Sequence, residues 1–175
     1  MRERRSGAAT SDEARINALA GEGDVDSQIY LGWAYGKNGD LSYNPEAAER
    51  WLKKAAETGN VEAIRALARF LFDHNSPGAI DVTDRLIRDG DFYGHFLMAH
   101  ALAKGMCGLK TDREKAIAHL RVGEELGHVV SGVDAMKLEY GVPILRPKQW
   151  ARLYRLLKEW IGIWRIDRKD WRISR

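Results

Sequence analysis

Four glycines, each followed by a polar residue, punctuate this chain at near-equal intervals. They are Gly23-Asp24, Gly59-Asn60, Gly90-Asp91 and Gly127-His128, spaced by 36, 31 and 37 residues. An internal period of that size constrains the fold more than any other feature, because it belongs to arrays in which one supersecondary unit stacks on copies of itself. Each glycine follows one helical pattern and precedes another, and glycine just past a helix end takes the left-handed conformation at little steric cost. The unit is therefore a pair of helices, and a glycine turn leads from each pair to the next.

Alignment on these glycines exposes a second register. Four residues after each comes a small one: Ser27, Ala63, Gly94 and Ser131. Eight residues after come Leu31, Leu67, Met98 and Ala135, and nine after come Gly32, Ala68, Ala99 and Met136. Small residues let two helices approach closely, and the larger apolar ones fill the space between pairs. The second helices repeat as well, since NPEAAERWLKKAAETGN lines up with TDREKAIAHLRVGEELGH, matching Ala48 with Ala116, Leu52 with Leu120 and Ala55 with Gly123. Asn44 with Pro45 reads as an N-cap followed by proline at the first helical position. Thr111 with Glu114, and Thr10 with Glu13, read as capping boxes. The periodicity predicts helices near 11–20, 26–37, 45–58, 61–73, 79–89, 92–104, 112–126 and 129–140, with a ninth near 148–165.

The stretch SQIYLGWAYGKNGDLSYNPEAAERWLKKAAETGN resembles a Sel1-like repeat, a relative of the tetratricopeptide repeat. The family pattern is a small residue, then L-G-x-x-Y, a Gly-containing loop, and K-A-x-x-W-[YFL]-x-K-A-A-x-x-G. This stretch keeps Ser27, Leu31, Gly32, Tyr35, Ala48, Trp51, Leu52, Lys54, Ala55, Ala56 and Gly59. The repeat over 91–128 keeps Ala99, Lys115, Ala116, Leu120 and Gly127 and departs at Met98, Leu102 and His119. The resemblance covers roughly residues 10–140 and implies an all-α, right-handed solenoid of about four helix pairs.

The 175-residue chain is long enough to bury a core. A single cysteine, Cys107, excludes an intramolecular disulfide and reads as a small apolar residue of loop or core. The basic N-terminus lacks an apolar run of signal-peptide type, and no window approaches the roughly 18 apolar residues that a membrane-crossing helix needs. The expected location is the cytoplasm, with peripheral attachment to the inner face of a membrane as an open possibility. Charge is uneven: residues 1–145 carry 18 basic and 22 acidic residues, a net of −4, whereas residues 146–175 carry 10 and 3, a net of +7. An acidic body with a basic tail argues against a chain built throughout for nucleic acid.

Enzymatic motifs are absent. The five histidines (His74, His95, His100, His119 and His128) form no H-E-x-x-H, and no Cys/His cluster has zinc spacing. There is no phosphate-cradling glycine loop and no G-x-S-x-G elbow. The reading is a non-enzyme with no cofactor and no metal. His119 aligns with Trp51 and is expected at a packed or half-exposed repeat position.

In tetratricopeptide-like arrays the first helix of each pair lines the concave side, so the resemblance implies inward positions. Carried onto this chain they are Ile29 and Trp33, Arg65 and Arg69, Phe96 and His100, then Val133 and Lys137, with Phe72, Tyr93 and Tyr140 alongside. The functional expectation is an aromatic and basic groove for a partner segment bearing acidic residues. The bland alternative is that several of these rings are core.

The C-terminal run KQWARLYRLLKEWIGIWR places Trp150, Leu153, Tyr154, Leu157, Trp160, Ile161 and Trp164 at helical spacing. Three readings stand beside one another. In the first, the helix caps the array through Leu153, Leu157 and Trp150. In the second and third, Trp160, Trp164, Arg165, Arg168, Lys169, Trp171 and Arg172 form a strip for anionic lipid or for a protein partner.

The sequence therefore divides into a flexible N-terminus over 1–9, a solenoid over 10–145 and a basic, Trp-rich helix and tail over 146–175. The expected function is a protein–protein interaction adaptor or regulator. The alternative is a peripheral membrane adaptor anchored by its tail, with the family resemblance implying complexes in bacterial signalling, envelope or surface-polysaccharide systems. Lipid dependence separates the two.

Overall fold

The computed structural model describes residues 4–36, 39, 41–141, 147–167 and 170; for 4–12, 147 and 148 it describes the backbone alone. Every regular element among the described residues is an α-helix: α1 (Arg4–Glu22), α2 (Val25–Ala34), α3 (Pro45–Glu57), α4 (Val61–Asp73), α5 (Gly78–Arg88), α6 (Phe92–Lys104), α7 (Arg113–Glu125), α8 (Val129–Tyr140) and α9 (Pro147–Ile166). They fall into two compact units, Met1–Leu71 and Phe72–Arg175.

Punctuation residues set the helix ends. Gly23, Gly59, Gly90 and Gly127 all have positive φ, at 106°, 80°, 74° and 91°. A side chain there would be strained, which is why glycine recurs at this point of the period. After three of the turns a side-chain oxygen takes up the first free amides of the next helix: Asp24 accepts from the Ser27 N–H, Asn60 from those of Glu62 and Ala63, and Asp91 from that of Tyr93. Asn44 caps α3 by accepting from the Ala47 N–H at 3.0 Å, with Pro45 at the first position, as expected.

Two expected capping boxes are displaced. Asp112, not Thr111, caps α7, its carboxylate accepting from the Lys115 N–H at 3.0 Å. A carboxylate also interacts favourably with the positive end of the helix dipole, which the threonine hydroxyl cannot match. Thr10 does not stand at a helix start, because α1 begins at Arg4 and carries Thr10 inside it; Ala8 and Ala9 are strong helix formers and extend the helix upstream. α2 ends at Ala34, short of the expected 37.

Packing follows the sequence register. In the first unit α2 packs against α1 and α3; in the second, α5 packs on α6, α6 on α7, α7 on α8 and α8 on α9. The small residues Ser27, Ala63, Gly94 and Ser131 are all buried, and Ala48, Leu52 and Ala55 are as buried as their counterparts Ala116, Leu120 and Gly123. The close approaches are real contacts. A Cβ on Gly94 would stand 2.8 Å from Leu86 Cβ and 2.9 Å from the Ile87 nitrogen, and one on Gly123 would stand 2.7 Å from Ser131 Oγ.

α9 docks through a different row than expected. Leu156, 1% exposed, fills the space over Val129 and Met136, with Val133, Leu153 and Ile163 at its margin. Trp150 and Leu157, expected in this contact, face solvent instead. Arg152 explains the rotation. It lies on the docked side of α9 and pairs with Glu124 of α7 and Glu139 of α8, which turns Leu156 inward and Leu157 outward.

Candidate interaction surfaces

The predicted groove residues occupy two positions of the repeat, six and ten residues after each turn glycine. The two positions behave differently. At the tenth, Trp33 is 39% exposed, Lys137 is exposed, and Arg69 and His100 are half-buried, so all four keep surface. At the sixth, Ile29 and Arg65 are half-buried, but Phe96 is only 4% exposed. Its ring lies edge-on to His128 at 4.8 Å between centroids, tilted against Tyr93 at 5.6 Å and against His100 at 4.6 Å. Phe96 therefore offers almost no surface to a partner. Tyr93, fully buried, is core as well.

In the second unit two of the predicted residues are brought together by one that the sequence reading missed. Asp134 of α8 holds His100 Nε2 of α6 at 3.1 Å through one oxygen and Lys137 Nζ at 2.9 Å through the other. The carboxylate is nearly buried while its two partners keep surface, so a negative centre is covered by two donors on adjacent first helices. A charged residue within the apolar pattern of VVSGVDAMKLEY was the available signal. In the first unit, α2 carries Ile29 and Trp33 and α4 carries Arg65 and Arg69.

A second pair unforeseen in the sequence is His95 and His119, whose Nδ1 atoms are 3.1 Å apart across α6 and α7. Burial lowers the pKa of His95, and the neighbouring His119 lowers it further, against a smaller upward pull from Asp91. Burial lowers that of His119, partly offset by Asp84. Both imidazoles are thus held toward the neutral form. His119 is half-exposed, as its alignment with Trp51 implied. His128 is fully buried, stacked on Phe92 and hydrogen-bonded through Nδ1 to Ser131 Oγ at 2.7 Å, a structural role. Burial pushes the Cys107 thiol up, away from reactivity, and the Cys107 N–H donates to Asn75 Oδ1 at 2.6 Å. Among the described residues no group of three or more His, Cys, Asp or Glu side chains is placed to hold a metal ion.

The C-terminal face is built around Arg152. Its guanidinium spans Glu124 and Glu139, while Arg121 Nε donates to Glu139 Oε1 at 2.6 Å and Arg155 reaches Glu124 at 3.2 Å. Arg121, Arg152, Arg155 and Glu124 line a shallow cleft of about 440 Å³ with Glu125, Leu156 and Glu159, where three arginines face three glutamates. Of the predicted tail residues, Trp160, Trp164 and Arg165 lie on α9 and are exposed, with Trp160 and Trp164 stacked at 6.2 Å. Arg168, Lys169, Trp171 and Arg172 lie outside the described residues. No helix of the described residues is long and apolar enough to cross a membrane.

The Sel1 repeat pattern matches residues 25–60 and 93–128, the two stretches whose helix pairs are α2–α3 and α6–α7. The Sel1-repeat-containing protein YjcO of Escherichia coli K12 is 32% identical over 120 residues, covering 66% of this chain and 50% of that protein. The chain thus spans about half the length of the curated relatives it matches. Two solved structures share the fold. The Sel1 repeat protein from Oxalobacter formigenes superposes with a TM-score of 0.63 at 16% identity, over 81% of this chain and 59% of that one. The protein c5321, a protective antigen present in uropathogenic Escherichia coli strains that displays the same repeat fold, gives 0.60 at 20% identity, over 87% and 43%. The all-helical architecture, the two matched repeats and these likenesses together identify the chain as a Sel1-like repeat protein with an α-solenoid fold.

Proposed function

We propose that this chain is a non-enzymatic adaptor that binds a protein segment along the exposed sides of its first helices. Sel1 repeats are in general a protein-interaction scaffold, and the observation that carries the reading here is the tenth repeat position. Trp33 and Arg69 keep surface there in the first unit, and His100 and Lys137 do so in the second. A tryptophan and three residues able to donate hydrogen bonds suit a segment with an apolar anchor and carboxylates, since Trp and Arg contribute most per residue at such contacts. In the first unit Arg65 and Ile29 border Trp33 and Arg69; in the second, Phe96 lies beneath His100.

Charge reversal tests the reading. Affinity capture from an extract of the source cells with the chain and with its Arg65→Glu/Arg69→Glu variant should recover a protein set from the first that is depleted about tenfold from the second, equivalent to about 1.4 kcal/mol. Equal recovery by both, at unchanged far-UV dichroism, would remove the surface from consideration. The lipid alternative rests on the tail, and its readout is sedimentation with anionic against neutral vesicles. Sedimentation with anionic vesicles only would support a peripheral anchor.

A further inference from the structure

α9 is docked on one side and apolar on two. Trp150, Tyr154, Leu157, Ile161 and Trp164 follow one another at spacings of 4, 3, 4 and 3 residues and are 59%, 71%, 47%, 42% and 38% exposed. At 3.6 residues per turn they form one row along the helix. That row lies about a third of a turn from the row of Arg152, Leu156 and Ile163 that faces α8. Trp160 and Leu153 fill the angle between the rows. The apolar surface of α9 thus sweeps about half its circumference, whereas a helix that only ends an array needs the docked strip alone.

α7 shows that a second helix in this fold can pack on two neighbours. It is the second helix of its pair, and it packs on α6 with one side and on α8 with the other. α9 stands after α8 as α7 stands after α6, and its outer row is exposed. The borders of that row select its chemistry. Lys158 and Arg165 run along one edge, both exposed, and Glu159 lies toward the opposite side of the helix. Two copies of α9 laid together antiparallel would bring Lys158 against Lys158, which disfavours self-pairing. A helix with leucine-like residues every three or four positions and carboxylates beside them meets both the apolar row and the basic edge.

We infer that the outer row of α9 is a docking site for an amphipathic helix with an acidic flank, belonging to a partner protein. The inference extends the adaptor reading to a second surface made of different residues. The two fail separately, because Arg65→Glu/Arg69→Glu leaves α9 unchanged.

A labelled synthetic helix with leucine at the heptad core positions and glutamate beside them is the probe, and its lysine counterpart is the control. Fluorescence anisotropy on the intact chain should give binding of the glutamate helix at least tenfold tighter than of the lysine helix. Leu157→Asp/Ile161→Asp should weaken it at least tenfold while hydrogen exchange shows α9 still docked, and Lys158→Glu/Arg165→Glu should reverse the preference between the two helices. Equal binding of both helices, or of neither, overturns the inference. Sedimentation with phosphatidylglycerol vesicles without peptide binding assigns the row to lipid and overturns it as well. So does a dimer by light scattering that Leu157→Asp/Ile161→Asp makes monomeric.

Discussion

Gly32 and Leu52 are in contact where α2 crosses α3: a Cβ on Gly32 would stand 2.4 Å from Leu52 Cγ and 2.5 Å from Cδ2. Leu52 is fully buried. Gly32→Ala should therefore destabilise the first unit by about 1–3 kcal/mol through overpacking, and Gly32→Leu by more. Leu52→Ala alone should cost about 2–5 kcal/mol. The two alanines together should cost less than their sum, since the second removes the atoms that the first strikes. Urea denaturation of the four proteins measures this coupling, and strict additivity would mean that the two helices do not meet at these residues.

Leu156 is the corresponding contact at the other end of the chain. A Cβ on Gly132 would reach Leu156 Cδ2 at 2.8 Å, so α9 approaches α8 at a glycine, as α3 approaches α2. Leu156→Ala should release α9 before the rest of the second unit. Hydrogen exchange should rise across 149–166 while α6 and α7 keep their protection. Leu157→Ala, on the outer row, should leave exchange unchanged. The opposite ranking would restore the docking face expected from the sequence.

Arg152 is held by two carboxylates that would otherwise face each other half-buried. Removing it costs more than the lost bonds, because Glu124 and Glu139 are left without their shared cation. Arg152→Met should lower the stability of the docked α9 by about 3 kcal/mol, on the scale of a broken buried pair. Glu139 feels burial most, which raises its pKa, but the bond from Arg121 and the charges of Arg121 and Arg152 outweigh it and hold the carboxyl below its usual 4.5. A depressed carboxyl binds fewer protons folded than unfolded, so its contribution is complete above 4.5 and is lost as pH falls through the folded value. Glu139→Gln should flatten the acid side of the stability curve of α9. Identical acid limbs would show that the pair does not couple to docking.

The helix pairs were legible because glycine takes the left-handed turn at the least steric cost, and because helix contacts forbid side chains at Gly32, Gly94 and Gly123. Such constraints are local and recur with the period. Surface assignment was less legible. Phe96 and His100 sit four residues apart on one helix face, yet the ring of Phe96 is covered by Tyr93 of its own helix and by His128, which the next helix pair brings in. The face of α9 was misread for a related reason. Apolar residues spread over half the helix define no single inward row, and the choice was made by Arg152, a charge that periodicity assigns to solvent. Asp134 likewise reads as surface until α6 brings His100 to it.

The His95–His119 pair makes the second unit sensitive to mild acid. At 3.1 Å, one Nδ1 donates and the other accepts, so charging both rings would set two N–H groups against each other. Both pKa values are lowered from the usual 6.5, chiefly by burial, with Asp91 and Asp84 pulling upward. The unfolded chain therefore binds more protons than the folded one just below 6.5, and stability rises with pH through that window. The contribution is complete above 6.5 and is lost as pH falls through the lowered folded values. The melting temperature of the second unit should fall between pH 7 and 5. His119→Phe, which keeps a ring beside α6 without a second proton site, should reduce that fall and leave the value at pH 7.5 within a few degrees. If the variant and the parent lose stability in parallel over this range, the acid sensitivity arises elsewhere.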